Sequence, residues 1–110
     1  MKKILTGVTA SNGKAEGTAR VVTSEADFEA FQEGEILVTR ITDPTMVMIM
    51  NKSAAIVCDI GGVGSHPAII SRELGIPCIV NAKTATTEIK NGMKITVDAT
   101  ETEGVVYGMD

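Results

Sequence analysis

The 110-residue chain is long enough for one domain, and its 44% apolar residues can form a core although only 3% of the residues are aromatic. The 14 acidic and 10 basic side chains give a formal net charge of −4 without a Lys/Arg cluster, which argues against binding to duplex nucleic acid or an anionic membrane surface. No apolar run approaches the ~20 residues of a membrane span, and the one after Met1-Lys2-Lys3 is too short for a signal peptide.

Strands and short helices alternate along the chain, which predicts a compact α/β domain over residues 1–110 with a mixed sheet. The turn signal Asn12-Gly13 between the first two strands is typical of a hairpin. Pro77 favours an edge strand or an early strand position. In chain order we predict strands over 4–8 and 18–22, a helix capped by Ser24 and ended by Gly34, a strand over 35–39, a helix over 45–52, a strand over 55–59, a loop over 61–64, a helix over 67–74, a strand over 76–80, a helix over 84–90, and strands over 94–98 and 104–107.

The sulfur-containing side chains are predicted to belong to the core. Cys58 and Cys78 each lie in an apolar run, which is typical of buried, reduced thiols rather than of a disulfide or a metal site. Reduced thiols in turn indicate a cytoplasmic protein. Met46, Met48 and Met50 are interpreted as core residues rather than as a partner-binding stripe.

His66 is the only histidine of the chain, which excludes a multi-His metal site. It follows the loop Gly61-Gly62-Val63-Gly64 and Ser65, and it precedes Pro67. A proline disfavours helical backbone in the residue before it and favours the first helical position, so we expect His66 to be the N-cap. Free N–H groups and a partial positive charge at the helix start would keep the ring neutral and nucleophilic and would suit a bound phosphate.

A plainer interpretation stands beside phosphate chemistry, in which His66 is a polar cap and the glycine loop is only a turn. The loop is not a P-loop because no Lys-Ser/Thr pair follows the glycines, and the dinucleotide pattern G-x-G-x-x-G is absent. The loop and the helix start by themselves leave both interpretations open.

A longer pattern around His66 resembles the phosphohistidine signature of the phosphoenolpyruvate-utilising enzymes, which include phosphoenolpyruvate synthase, pyruvate phosphate dikinase and enzyme I of the sugar phosphotransferase system. The resemblance extends upstream through 34–38 and 42–44 and downstream through 91–98 and 104–106, so it covers nearly the whole chain. The residues that carry the signature are Gly61-Gly62-x-x-Ser65-His66-x-Ala68-Ile69-Ile70-x-Arg72-Glu73-Leu74-Gly75-Ile76-Pro77.

The resemblance implies the family's mobile, swivelling β/β/α domain, in which His66 accepts a phosphoryl group at one active site and delivers it at another. An ATP-grasp nucleotide-binding domain and a phosphoenolpyruvate- or pyruvate-binding barrel would hold the donor and the acceptor, together with Mg²⁺. This chain would bind no cofactor or metal and would act as one component of a phosphotransferase. The candidate phosphate-binding residues are Gly61, Gly62, Gly64, Ser65, Ala68 and Arg72.

Two positions depart from the family pattern. Gly64 stands where the family usually has Thr or Ser, which is a regulatory phosphorylation site in some dikinases, so we do not expect such control here. Pro67 replaces the usual Ala and removes one backbone N–H from the helix start, which leaves Ser65 and the N–H groups of Ala68 and Ile69 as donors. These departures leave open an alternative, in which the chain is a non-catalytic binding or regulatory module that retains the fold.

Three further side chains each have two interpretations. Arg72 either reaches a bound phosphate or pairs with a nearby carboxylate. Thr42 either hydrogen-bonds the ring nitrogen of His66 that is not phosphorylated or caps the helix that Pro44 opens, and the cap is favoured. Asp59 either orients N–H groups of the glycine loop or forms a plain turn.

Overall fold

The computed structural model describes residues 1–108, so Met109 and Asp110 of the predicted domain lie outside the described residues. This part of the chain contains seven strands, three short α-helices and two 3₁₀ turns, at Glu25–Asp27 and Pro44–Met46. The strands are β1 (Lys2–Ser11), β2 (Gly13–Val22), β3 (Ile36–Thr39), β4 (Ala55–Cys58), β5 (Cys78–Val80), β6 (Lys94–Ala99) and β7 (Gly104–Gly108). The helices are α1 (Val47–Lys52), α2 (His66–Leu74) and α3 (Ala85–Glu88).

The strands close into a barrel in the order β1-β5-β4-β3-β2-β6-β7. Strands β2, β3, β4 and β5 pair in parallel, whereas the pairs that involve β1, β6 or β7 are antiparallel. The predicted α/β domain with a mixed sheet and short helices is therefore confirmed. The closure of that sheet was not predicted, and it gives every strand of residues 1–108 two neighbours.

Alternate residues of the central parallel strands belong to two separate core clusters. Val38, Val57 and Ile79 pack in a first cluster, which contains side chains from all seven strands. Leu37 and Ile56, one position along, pack in a second cluster together with side chains of α1 and α2. Because both faces of these strands are buried, their sequences are continuous apolar runs rather than alternating ones.

The turn at Asn12-Gly13 does not close the predicted hairpin. β1 pairs with β5 and β7, and β2 pairs with β3 and β6, so strands distant in sequence occupy both edges of each. The two strands are also longer than predicted, since pairing along their full length compensates for glycines and charges that weaken their local strand signal.

The helix predicted between Ser24 and Gly34 is reduced to the 3₁₀ turn Glu25–Asp27. The carboxylate of Asp27 accepts hydrogen bonds from the backbone N–H groups of Thr23, at 2.8 Å, and Ser24, at 3.3 Å. Such local bonds offer the backbone an alternative to a regular helix. The aromatic ring of Phe31 is nevertheless buried, in the cluster next to α1 and α2.

The predicted 45–52 helix divides into the 3₁₀ turn Pro44–Met46 and α1. Met46 and Met50 lie in the core, as predicted, but the prediction is wrong for Met48, which is 77% exposed. Periodicity could not show this, because the run is apolar on all sides.

The second half of the chain follows the predicted order with shifted boundaries. β5 begins directly after Pro77 and lies between β1 and β4, so the proline precedes a central strand and not an edge. α3 is shorter than the predicted 84–90 helix. None of the helices in residues 1–108 is long and apolar enough to cross a membrane.

Candidate functional site

The candidate site lies at the carboxyl ends of the parallel strands. β3 ends at Thr39, and the chain then passes through Thr42, while β4 ends at Cys58 and continues into the 59–65 loop. Loops and helix starts meet at this edge of a parallel sheet, which is why α/β proteins bind ligands there. His66 is half-buried and begins α2 directly after the loop.

The N-cap of α2 is Ser65, and the prediction of His66 as the N-cap is wrong by one residue. Ser65 has an extended ψ of 166°, and its carbonyl accepts a hydrogen bond from the N–H of Ile69 at 3.1 Å. Pro67 is then the second helical residue. A proline is tolerated there because the first turn of a helix does not use its N–H groups for intrahelical bonds.

The helix start retains fewer free donors than predicted. The N–H of Ile69 is occupied by the Ser65 carbonyl, and Pro67 has no N–H. The N–H groups of His66 and Ala68 have no acceptor within residues 1–108. These two groups, at the positive end of a nine-residue helix, are the donors that an anion beside His66 would find.

Thr42 contacts the histidine ring. Its side chain is buried, and its Oγ1 lies 2.8 Å from Nδ1 of His66. The cap that the sequence favoured for Thr42 is instead provided by Asp43, whose carboxylate accepts a hydrogen bond from the N–H of Thr45 at 2.8 Å. Nδ1 is thus engaged with Thr42, and no hydrogen bond of residues 1–108 involves Nε2.

The glycine loop is held by one side chain at its end. Ser65 Oγ donates a hydrogen bond to the Gly62 carbonyl at 2.7 Å. Gly61 has a φ of +115°, and a Cβ there would lie 2.9 Å from Ser65 Oγ, so this position requires glycine. A Cβ at Gly64 would meet nothing within 4 Å, so packing does not explain why the chain lacks the family's Thr or Ser at that position.

Arg72 does not form the predicted carboxylate pair within residues 1–108, and its predicted reach to a bound phosphate stays a prediction. Its Nε donates a hydrogen bond to the backbone carbonyl of Ala10 on β1 at 2.7 Å, and no carboxylate pairs with it. It lies six positions after His66 in the helix, or about 9 Å along the axis. In this arrangement Arg72 anchors α2 to the barrel.

Asp59 makes a contact that neither of its two interpretations included. Its carboxylate is 8% exposed and accepts hydrogen bonds from the N–H of Thr86, at 2.9 Å, and from the Thr86 hydroxyl. It thus binds the first turn of α3 and not the N–H groups of the glycine loop. No short-range pattern could have revealed this pair, because 27 residues separate the partners.

A cleft of about 470 Å³ borders the site, and the sequence did not predict it. Ile41 and Asp43, the two neighbours of Thr42, line it, and Asp59 and Thr86 contribute to its wall, whereas His66 is not among its lining residues. The lining residues are Val22, Thr23, Ser24, Glu25, Phe28, Thr39, Arg40, Ile41, Asp43, Thr45, Met46, Asp59 and Thr86.

One charged group near the ring is the carboxylate of Asp43. Hydrogen bonds from the Thr45 hydroxyl and N–H, with a smaller contribution from the charge of His66, lower the pKa of the Asp43 carboxyl. Asp43 is thus ionised at neutral pH.

The two cysteines are free and buried, as predicted. Burial raises the pKa of the Cys78 thiol to about 11, and it also raises the pKa of Cys58. Both thiols are thus protonated at neutral pH, and the thiol is the unreactive form. Within residues 1–108 no group of three or more His, Cys, Asp or Glu side chains is placed to hold a metal ion.

Comparison with known proteins identifies the family. The sequence profile described as "PEP-utilising enzyme, mobile domain" matches residues 31–102, which include the glycine loop, Thr42 and His66. The chain therefore belongs to the mobile domains of phosphoenolpyruvate-utilising enzymes, and the resemblance noted in the sequence is confirmed.

The relatives are longer proteins. Phosphoenolpyruvate synthase of Pyrococcus furiosus is 50% identical over 104 residues, which cover 94% of this chain and 12% of that enzyme. The probable phosphoenolpyruvate synthase of Archaeoglobus fulgidus is 48% identical over 106 residues, which cover 96% of this chain and 14% of that protein. A solution structure of Enzyme I has a TM-score of 0.59 at 31% identity, over 69% of this chain and 31% of that one. The chain thus spans about an eighth of the length of the two synthases.

Proposed function

We propose that this chain is a phosphoryl carrier and that Nε2 of His66 is the atom that carries the phosphoryl group. The observation that supports this most directly is the 2.8 Å contact between Thr42 Oγ1 and His66 Nδ1 at the start of α2. A ring whose Nδ1–H donates to the Thr42 oxygen has its lone pair on Nε2. Thr42 thereby selects the nucleophilic atom and the orientation of the ring.

The transfer step needs little beyond this positioning. The Nε2 lone pair forms a bond to phosphorus, while the P–O bond to the leaving group breaks and its electron pair departs with that oxygen. The negative charge on the phosphoryl oxygens would meet the free N–H groups of His66 and Ala68 and the positive end of α2. Gly61, Gly62, Gly64 and Ser65 shape the adjacent loop, whereas Arg72 would have to leave Ala10 to contribute.

The rest of the reaction is assigned to other domains. The chain corresponds to about an eighth of each of the two synthases, which is consistent with one module of a larger phosphotransferase. In this proposal an ATP-grasp nucleotide domain, a phosphoenolpyruvate- or pyruvate-binding barrel, or both, bind the substrates and Mg²⁺. The module then swivels between them with the phosphoryl group on His66.

The test is a labelling experiment with the intact chain. It is incubated with Pyrococcus furiosus phosphoenolpyruvate synthase and ³²P-phosphoenolpyruvate, or with ATP labelled at the β or γ position. We expect a label that is stable in base and labile in acid and that is absent from the His66→Ala variant. The labelled position that transfers identifies the donor.

The control is Arg20→Met, which removes an ion pair with Glu35 and should leave the labelling unchanged. If no donor labels the wild-type chain although it is folded, the carrier function is wrong. The non-catalytic binding or regulatory module, with Gly64 and Pro67 as its departures from the family, is then the function that remains.

A further inference from the structure

Asp59 lies just before the glycine loop, and its N–H, its carbonyl and its carboxylate all form hydrogen bonds. Its N–H donates to the Thr39 carbonyl at 3.1 Å, and its carbonyl accepts from the N–H of Lys83 at 2.8 Å. Its carboxylate accepts two hydrogen bonds from Thr86. These contacts attach one residue to the end of β3 and to the segment that leads into α3.

Beyond Asp59 the chain has few internal contacts. Ile60 donates one backbone bond to the Arg40 carbonyl at 3.1 Å, and the next hydrogen bonds within residues 1–108 are those between Ser65 and the Gly62 carbonyl. Gly62 and Gly64 are exposed, and a Cβ at either position would meet no atom within 4 Å. The position of the loop therefore depends on where it leaves β4, at Asp59, and on where it joins α2.

The segment that binds Asp59 has an unusual backbone. Asn81 and Lys83 have positive φ values, of 52° and 68°, which residues other than glycine rarely adopt. These two residues turn the chain after β5 so that Thr86 faces Asp59 with both its N–H and its hydroxyl. Surrounding contacts must hold such a backbone in place, and the bonds to Asp59 are among them.

We infer that Asp59 and Thr86 are positioning residues for His66. They act through the glycine loop and touch neither the ring nor the phosphoryl group. Their hydrogen bonds fix the direction in which the loop leaves β4. That direction in turn sets the positions of the loop N–H groups and of the first residues of α2. The inference deepens the proposed function and rests on it, because the group being positioned is the proposed carrier of phosphate.

The test uses Thr86→Val. Valine has the shape of threonine and keeps the backbone N–H at position 86, but it lacks the hydroxyl that donates to Asp59. In this variant we expect amide hydrogen exchange at Ile60 and Ser65, whose N–H groups donate to the Arg40 and Gly62 carbonyls, to become about tenfold faster. We expect labelling of His66 to slow by about tenfold or more, since small misplacements of a reacting group have effects of this size. Thr86→Ser, which retains the hydroxyl, should restore both values.

A remote variant separates positioning from general loss of stability. Glu35→Gln weakens the buried end of the Arg20–Glu35 ion pair, far in sequence from the loop. Both variants are compared at a temperature at which circular dichroism shows them folded. Equal slowing of labelling in Glu35→Gln, or wild-type exchange and labelling in Thr86→Val, would overturn the inference. If the wild-type chain takes no label, the carrier function fails by itself, and the exchange of the Ile60 and Ser65 amides still decides whether Thr86 positions the loop.

Discussion

At the scale of single residues, the chemistry proposed for this chain is concentrated in one imidazole ring and its hydroxyl partner. Thr42 is buried, and its hydroxyl holds the half-buried ring of His66 through Nδ1. A hydrogen bond of this kind contributes about 1 kcal/mol. Its larger effect in the proposed function is to keep the proton on Nδ1 and the lone pair on Nε2.

Thr42→Val tests this role, because valine has the same shape and lacks the hydroxyl. We expect the rate of His66 phosphorylation to fall roughly fivefold, which corresponds to the loss of about 1 kcal/mol. We also expect the ¹⁵N chemical shifts of the ring to show a larger fraction of the Nε2–H tautomer. Thr42→Ser keeps the hydroxyl and serves as the control. An unchanged ring spectrum in Thr42→Val would show that Thr42 does not select the tautomer.

At the scale of secondary-structure elements, the site is made by the ends of elements rather than by their interiors. Parallel strands β3 and β4 end at the same edge of the barrel, and α2 begins there. The contact between Arg72 and Ala10 holds the helix against β1, so the start of the helix has a defined place relative to that edge. The loop between β4 and α2 must then turn within a few residues, which is possible because Gly61 adopts a positive φ.

Gly61→Ala and Gly64→Ala are a matched pair that tests the loop geometry. At Gly61 a Cβ would lie 2.9 Å from Ser65 Oγ and 3.2 Å from Ile41 Cδ1, at a φ of +115°. We expect this variant to lose about 1–3 kcal/mol of unfolding free energy, measured by urea denaturation, and to label poorly. Gly64→Ala should change both quantities little, since its Cβ meets open space. If the two variants behave alike, the loop does not have the backbone described.

At the scale of the whole molecule, closure of the barrel joins the two halves of the chain. β1 pairs with β7, and β2 pairs with β6, so the first and last strands of the described chain hold each other in place. Gly104 at the start of β7 is packed so closely that a Cβ would lie 2.5 Å from Ile79 Cγ1. Ile79 belongs to β5 on the other side of β1, so this contact crosses the barrel interior.

Gly104→Ala should therefore destabilise the fold by about 1–3 kcal/mol, since extra atoms in a filled core force neighbouring side chains and backbone to shift. In an Ile79→Ala background the same change should have a smaller effect, because the space has been vacated. Urea denaturation of the wild type, the two single variants and the double variant measures the coupling. Additive effects would mean that Gly104 and Ile79 do not meet in solution.

The sequence by itself determined the features that depend on neighbours along the chain. The alternation of strands and short helices, the burial of Cys58 and Cys78 in apolar runs, and the sequence of glycine loop, His66 and helix are local patterns, and local patterns follow from side-chain chemistry and backbone preference. The single histidine is of the same kind, since composition alone determines that no other residue of this chain can be the imidazole carrier.

Only the tertiary structure decided the features that depend on residues far apart. The Asn12-Gly13 turn has a hairpin sequence, yet strands from the rest of the chain occupy both edges of β1 and β2. The contacts Thr42–His66 and Asp59–Thr86 span 24 and 27 residues and leave no periodic trace. Pairing between distant strands and between isolated polar side chains is selected by the free energy of the whole packed chain, which no short window of sequence contains.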